Sequence, residues 1–102
     1  MTKIEFFKTM YGGKNQPPRY ERSAGYGVDY VMDGNIIKLI FEKCKYDWCI
    51  TEYSSGLQIR RNFKTRKEAL NIVTPELLKT IAERLKDNKY VTMLSKYRAN
   101  NI

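Results

Sequence analysis

The chain has 102 residues, 42% of them hydrophobic and 13% aromatic, and carries 19 Lys and Arg against 11 Asp and Glu, a formal charge of +8. This is the size and apolar content of one domain spanning residues 1–102 with a single core, which excludes a disordered tail, and no run of about 18 apolar residues exists to cross a membrane. With no histidine and only two cysteines, the usual zinc sites and histidine-based triads are excluded, and no metal or cofactor is expected.

The charge is unevenly placed. Up to Gly56 there are eight basic and seven acidic residues; from Leu57 onward there are eleven and four. A field of that kind favours phosphate backbones or acidic protein surfaces. The N-terminal stretch Met1 to Lys8 is too short in its apolar part and too charged for a secretory signal, so an intracellular address is expected.

In chain order, Lys3 to Met10 reads as a short strand. Residues 11–27 hold four of the six glycines and two of the three prolines, interleaved with Lys14, Arg19, Arg22, Tyr11, Tyr20 and Tyr26, and predict a long loop. Basic and aromatic residues on such an arm suit a nucleic acid, so Lys14, Arg19, Tyr20 and Arg22 are candidate contacts. Tyr26, Val28, Tyr30 and Met32 then alternate with Gly27, Asp29 and Val31. Asp33-Gly34 is the pair favoured in a type I′ turn, and Ile36 to Glu42 continues as the partner strand, with Ile37, Leu39 and Phe41 toward the core.

Glu42 to Asp47 turns the chain into a strand around Trp48, Ile50 and Glu52; the three carboxylates Glu42, Asp47 and Glu52 are expected to be exposed partners of lysines. Cys44 and Cys49 flank this turn. A disulfide across the hairpin is possible, although an intracellular setting favours free thiols. Ser54-Ser55-Gly56 leads into Leu57 to Phe63, where Leu57, Ile59, Arg61 and Phe63 alternate with Gln58, Arg60 and Asn62.

Thr65 followed by Glu68 is a capping box, in which the hydroxyl accepts from the Glu68 N–H and the carboxylate reaches back to the N–H of Thr65. A helix should run from about Arg66 to Val73. Thr74-Pro75 supplies a fresh N-cap and first helical position for a second, whose residues Leu77, Leu78, Ile81, Ala82 and Leu85 form one apolar stripe. After Asp87-Asn88, a last short helix carries Tyr90, Val91, Leu94 and Tyr97. The fold class is α+β: an antiparallel β-meander of about four strands packed on one face by C-terminal helices.

The strand-to-helix corner is the main candidate site. Arg60, Arg61, Lys64, Arg66 and Lys67 crowd it, and Arg66 and Lys67 stand where a helix dipole disfavours cations by about 0.3 to 1 kcal/mol each. An anion bound there would reverse that penalty. No nucleophile, base and orienting group occur together, so no enzymatic activity is expected.

The meander with Trp48 in a strand, the Gly56 turn and the phrase Asn62-Phe63-Lys64-Thr65-Arg66-Lys67-Glu68-Ala69 resembles the arm-binding domains of phage and transposon integrases, over about residues 36–71. That resemblance implies a sheet face entering the DNA major groove, with contacts from Lys38, Gln58, Arg60 and Asn62. The expected function is thus a small nucleic-acid-binding accessory protein of a phage or mobile element, in the cytoplasm of a bacterial host. The alternative is an inhibitor or adaptor of the anti-CRISPR type that binds a nucleic-acid-processing enzyme or its complex with nucleic acid. DNA, RNA or such an enzyme is the expected partner, and a membrane is not.

Overall fold

A computed structural model describes residues 2–101. Five antiparallel strands, β1 (Thr2–Met10), β2 (Arg19–Met32), β3 (Asn35–Lys43), β4 (Trp48–Glu52) and β5 (Gln58–Phe63), lie in sequence order. Three helices follow: α1 (Arg66–Asn71), α2 (Pro75–Leu85) and α3 (Lys89–Asn100). The chain is an α+β meander, as its patterning predicts.

The largest departure from the sequence reading is β2. Its 14 residues begin at Arg19, so only residues 11–18 form a loop. The stretch from Arg19 to Gly27 pairs along its length with β1, from Thr2 opposite Gly27 to Met10 opposite Arg19. Gly25 and Gly27 look like loop residues in sequence, but here they make room. A Cβ on Gly25 would stand 2.7 Å from Ile40 Cγ2 and 2.9 Å from Phe41 O, and one on Gly27 would stand 2.9 Å from Ile4 Cδ1. Glycine inside a strand often marks such a close approach.

The β2–β3 turn follows its expected chemistry, with Asp33 and Gly34 both at positive φ (50° and 79°). Val28 then pairs with Leu39 and Tyr30 with Ile37, which sets one apolar face. On that face Ile37, Leu39, Phe41 and Ile50 form the core with Ala69 of α1 and Leu78 and Ile81 of α2. The two helices start as read: Thr65 accepts from Glu68 N–H, and Thr74 accepts from Leu77 N–H with Pro75 behind it. In the capping box the Glu68 carboxylate takes the N–H of Lys64, at 2.8 Å, one residue before the expected Thr65.

The opposite face is also buried. Phe6, Ile40, Cys49, Thr51 and Glu42 are all less than a tenth exposed. The reason is curvature: the sheet bends until its first strand meets the turn after β4. Thr9 N–H donates to Gly56 O at 2.8 Å, and the Thr9 hydroxyl donates to Ser55 O. Gly56 has φ +71°, and a Cβ there would lie 2.7 Å from Phe7 O. α3 spans the same seam. Tyr97 packs edge-on to Phe7 of β1 and stacks at 4.4 Å on Tyr20 of β2, while Arg98 lies over the Tyr53 ring and donates to Tyr53 O.

Two of the three turn carboxylates expected at the surface are instead buried, and each has a structural task. Glu52 accepts from the N–H groups of Ser54 and Ser55, at 2.9 and 2.8 Å, and so holds the turn that meets β1. Glu42 accepts from the Ser23 hydroxyl and pairs with Lys8 at 2.8 Å, tying β1, β2 and β3 together. Burial pulls the Lys8 ammonium down, but the hydrogen bond and charge of Glu42 outweigh it, and the net result is a raised pKa.

Gly25→Ala is expected to lower the unfolding free energy by about 1 to 3 kcal/mol, the range for overpacking, in urea denaturation. The Lys8–Glu42 pair sets a pH dependence. Because the folded-state pKa of Lys8 is raised above the ordinary 10.5, its contribution is complete below that value and is lost as pH rises through the raised one. The stability difference between the wild type and Lys8→Met should therefore hold steady from neutral pH to about pH 10 and then close, as urea titrations across that range would record.

Candidate nucleic-acid interface

The β5–α1 corner is shaped by irregular pairing. Trp48 pairs with Phe63, Ile50 with Arg60 and Thr51 with Gln58, so the register shifts twice within β5. Asn62 sits at φ 72° beside one shift, a conformation that asparagine tolerates better than most residues. Strict alternation would turn Arg61 inward with Ile59 and Phe63. The bulge instead leaves Ile59 and Phe63 packed on the core and puts Arg61 outside, with 62% of its side chain exposed.

Pairing of β3 with β4 brings a second segment to this corner. Lys43 lies opposite Trp48, and Trp48 opposite Phe63, so the β3–β4 turn stands next to the end of β5. Lys45, Tyr46 and Asp47 of that turn line one shallow hollow with Arg61, Asn62 and Lys64. Tyr46 is 84% exposed, with the Lys45 ammonium 5.3 Å from its ring. The sequence pattern does not single out Lys43, Lys45 and Tyr46. Their signal lies in the meander itself, where a basic and aromatic turn one strand away from a basic corner becomes its neighbour.

The acidic groups here are turned to the backbone. Asp47 accepts from the Asn62 N–H at 2.8 Å, with Arg61 Nε farther off at 3.7 Å. Glu68 takes the Lys64 N–H, as described. Each carboxylate is therefore partly committed to holding the corner's shape, and the exposed cations Lys43, Lys45, Arg61, Lys64 and Lys67 dominate its outer surface.

Other candidates are placed differently. Arg66 is half-buried, its guanidinium 4.7 Å from the Tyr26 ring centre and 6.0 Å from that of Trp48. This stacking explains a cation in the first turn of α1 without an anionic ligand. Arg60 lies on the α2 side of β5, lining a groove with Arg61, Phe63 and Leu77, and Gln58 lines the adjoining groove along α2. Lys38 belongs to the β2–β3 hairpin, 3.8 Å from Asp29 and over the Tyr53 ring, with β4 between it and β5. Lys38, Gln58, Arg60 and Asn62 thus do not make one flat sheet face. Tyr20 is held by Tyr97, and burial followed by that neighbour pushes its hydroxyl pKa up. Arg22 lies over Phe7, while Lys14 and Arg19 are exposed at the loop and at the start of β2.

Two sulfurs and a carboxylate also meet beneath the turn. The ligand atoms of Cys44, Asp47 and Cys49 lie within 4.8 Å of one another, and the two Sγ atoms are 2.8 Å apart. Thiolates sharing a tetrahedral zinc with 2.3 Å bonds keep about 3.8 Å between them, so this arrangement is too tight for such a site. Burial pushes the Cys49 thiol up to about 12, helped by its hydrogen bond to Cys44.

Comparison with protein families, curated proteins and solved structures finds no match to this chain.

Arg66 and Lys64 should separate in a stability measurement. Arg66→Gln is expected to cost about 1 to 2 kcal/mol in urea unfolding through the lost stacking. Lys64→Gln, on the open surface, should change stability by less than about 0.5 kcal/mol.

Proposed function

We propose that this protein is a non-enzymatic nucleic-acid-binding accessory protein and that its binding surface is the corner where the β3–β4 turn meets β5 and α1. The observation that carries this reading is the juxtaposition of Lys45 and Tyr46 with Arg61 and Lys64 around one hollow. Cations spaced around it suit a phosphate backbone, and an exposed tyrosine among them suits stacking on a base. An unpaired strand or loop offers both at once, so single-stranded DNA or RNA is the favoured ligand and a continuous duplex is not. The expected origin, a phage or other mobile element, is consistent with a small basic domain of this kind.

A second reading, an inhibitor or adaptor of the anti-CRISPR type, draws on a different surface. Val31 and Ile36 are cross-strand partners near the tip of the β2–β3 hairpin and are 71% and 70% exposed. An apolar pair of that kind suits contact with a protein rather than with phosphates.

Titration of labelled single-stranded DNA, duplex DNA and hairpin RNA at low and near-physiological salt tests the first reading. Binding to unpaired nucleic acid should persist at the higher salt. Lys45→Glu with Lys64→Glu should weaken it at least tenfold and reduce the salt slope by roughly 1.4 to 1.8, and Tyr46→Ala should remove about 1 to 3 kcal/mol. Loss of all binding at near-physiological salt, or affinity indifferent to these variants, would overturn the assignment. Capture of a nucleic-acid-processing enzyme that is abolished by Val31→Asp would then favour the second.

A further inference from the structure

The two cysteines have no part in the reading above, yet they are brought together by the register of the sheet. Cys49 pairs with Glu42, and the Cys44 N–H donates to Asp47 O at 2.8 Å, closing the hairpin turn. Cys44 directly follows the last residue of β3, and its sulfur reaches the side on which Cys49 lies. The sulfurs stand 2.8 Å apart, short of ordinary contact between non-bonded sulfur atoms and within about 0.8 Å of a disulfide bond. Their exposures differ: Cys44 is half-buried, and Cys49 is 2% exposed. The neighbouring acceptors are carboxylates, Glu42 Oε1 at 3.8 Å from Cys44 Sγ and Asp47 Oδ1 at 3.8 Å from Cys49 Sγ.

We propose that Cys44 and Cys49 form a reversible dithiol–disulfide pair across the β3–β4 turn, oxidised by a low-molecular-weight disulfide such as oxidised glutathione. The accessible sulfur acts first. Cys44, as its thiolate, attacks one sulfur of the small disulfide; that S–S bond breaks, a mixed disulfide forms on Cys44, and one small thiolate leaves and takes up a proton. Cys49 then gives up its proton to solvent and attacks Cys44 Sγ, which forms the Cys44–Cys49 bond and expels the second small thiol. In sum, two protein thiols are oxidised and one small disulfide is reduced to two thiols. Burial of Cys49 disfavours its thiolate, so the second step is slow at neutral pH and faster as pH rises, while proximity directs it toward closure.

The bond would staple the turn that carries Lys45, Tyr46 and Asp47. Its formation is a property of the hairpin alone and needs no nucleic acid, so its test stands apart from the binding assignment. The full-length protein, reduced and then equilibrated with glutathione buffers of increasing oxidised fraction in the presence of a chelator, would be quenched with acid, alkylated and weighed by intact mass spectrometry. The expected product is a monomer lighter by two hydrogen atoms that takes no alkyl label, replacing in one transition the form that takes two. Cys49→Ser should stop at a glutathione adduct on Cys44, and Cys44→Ser should remain unmodified because Cys49 is covered. A wild-type protein that halts at the glutathione adduct, forms covalent dimers or keeps two alkylatable thiols in oxidised glutathione alone would overturn the proposal.

Discussion

The buried carboxylate of Glu52 holds the turn on which the sheet closes. By accepting from the N–H groups of Ser54 and Ser55 it fixes residues 53–56, and the carbonyls of Ser55 and Gly56 are thereby presented to Thr9 of β1. A buried charge is costly unless hydrogen-bonded, and here the backbone supplies the donors. Once β1 is joined to that turn, the sheet is curved rather than flat, and one face becomes an interior lined by Phe6, Ile40 and Thr51. α1 and α2 cover the other face, and α3 secures the seam through Tyr97 and Arg98.

Curvature accounts for the residues that look anomalous one at a time. Glycines stand at 25 and 27 because Ile4 and Ile40 approach β2 closely there. Glu42 is tolerated in the interior because Lys8 and Ser23 come to it from two neighbouring strands. The same curvature turns much of the face opposite α1 and α2 inward. The expected contacts Lys38 and Arg60 consequently fall on separate parts of the surface.

The basic corner illustrates how structural and free charges are sorted. Arg66 is occupied by Tyr26 and Trp48, and Asp47 and Glu68 are partly occupied by backbone donors. The turn-borne Lys45 and Tyr46, and the corner's Arg61 and Lys64, are left on the outer surface. This division gives the proposed interface both a phosphate-directed and a base-directed element, with the dithiol of Cys44 and Cys49 lying beneath the same turn.

Local chemistry alone determined a large part of this protein. The Asp33-Gly34 turn, the Thr65 and Thr74 caps, Pro75 at a first helical position and the stripe from Leu77 to Leu85 are all readable because each depends on residues within a few positions of one another. The α+β class and the concentration of charge at the β5–α1 corner follow from the same local signals. Tertiary structure decided the rest. The strand from Arg19 to Gly27 exists because β1 lies beside it, and its glycines read as loop until Ile4 and Ile40 are known to press on them. The outward turn of Arg61 depends on a bulge, and the burial of Glu42 and Glu52 on partners far away or on the shape of a turn. Alternation and composition cannot report such facts, because each is fixed by which segments meet in space.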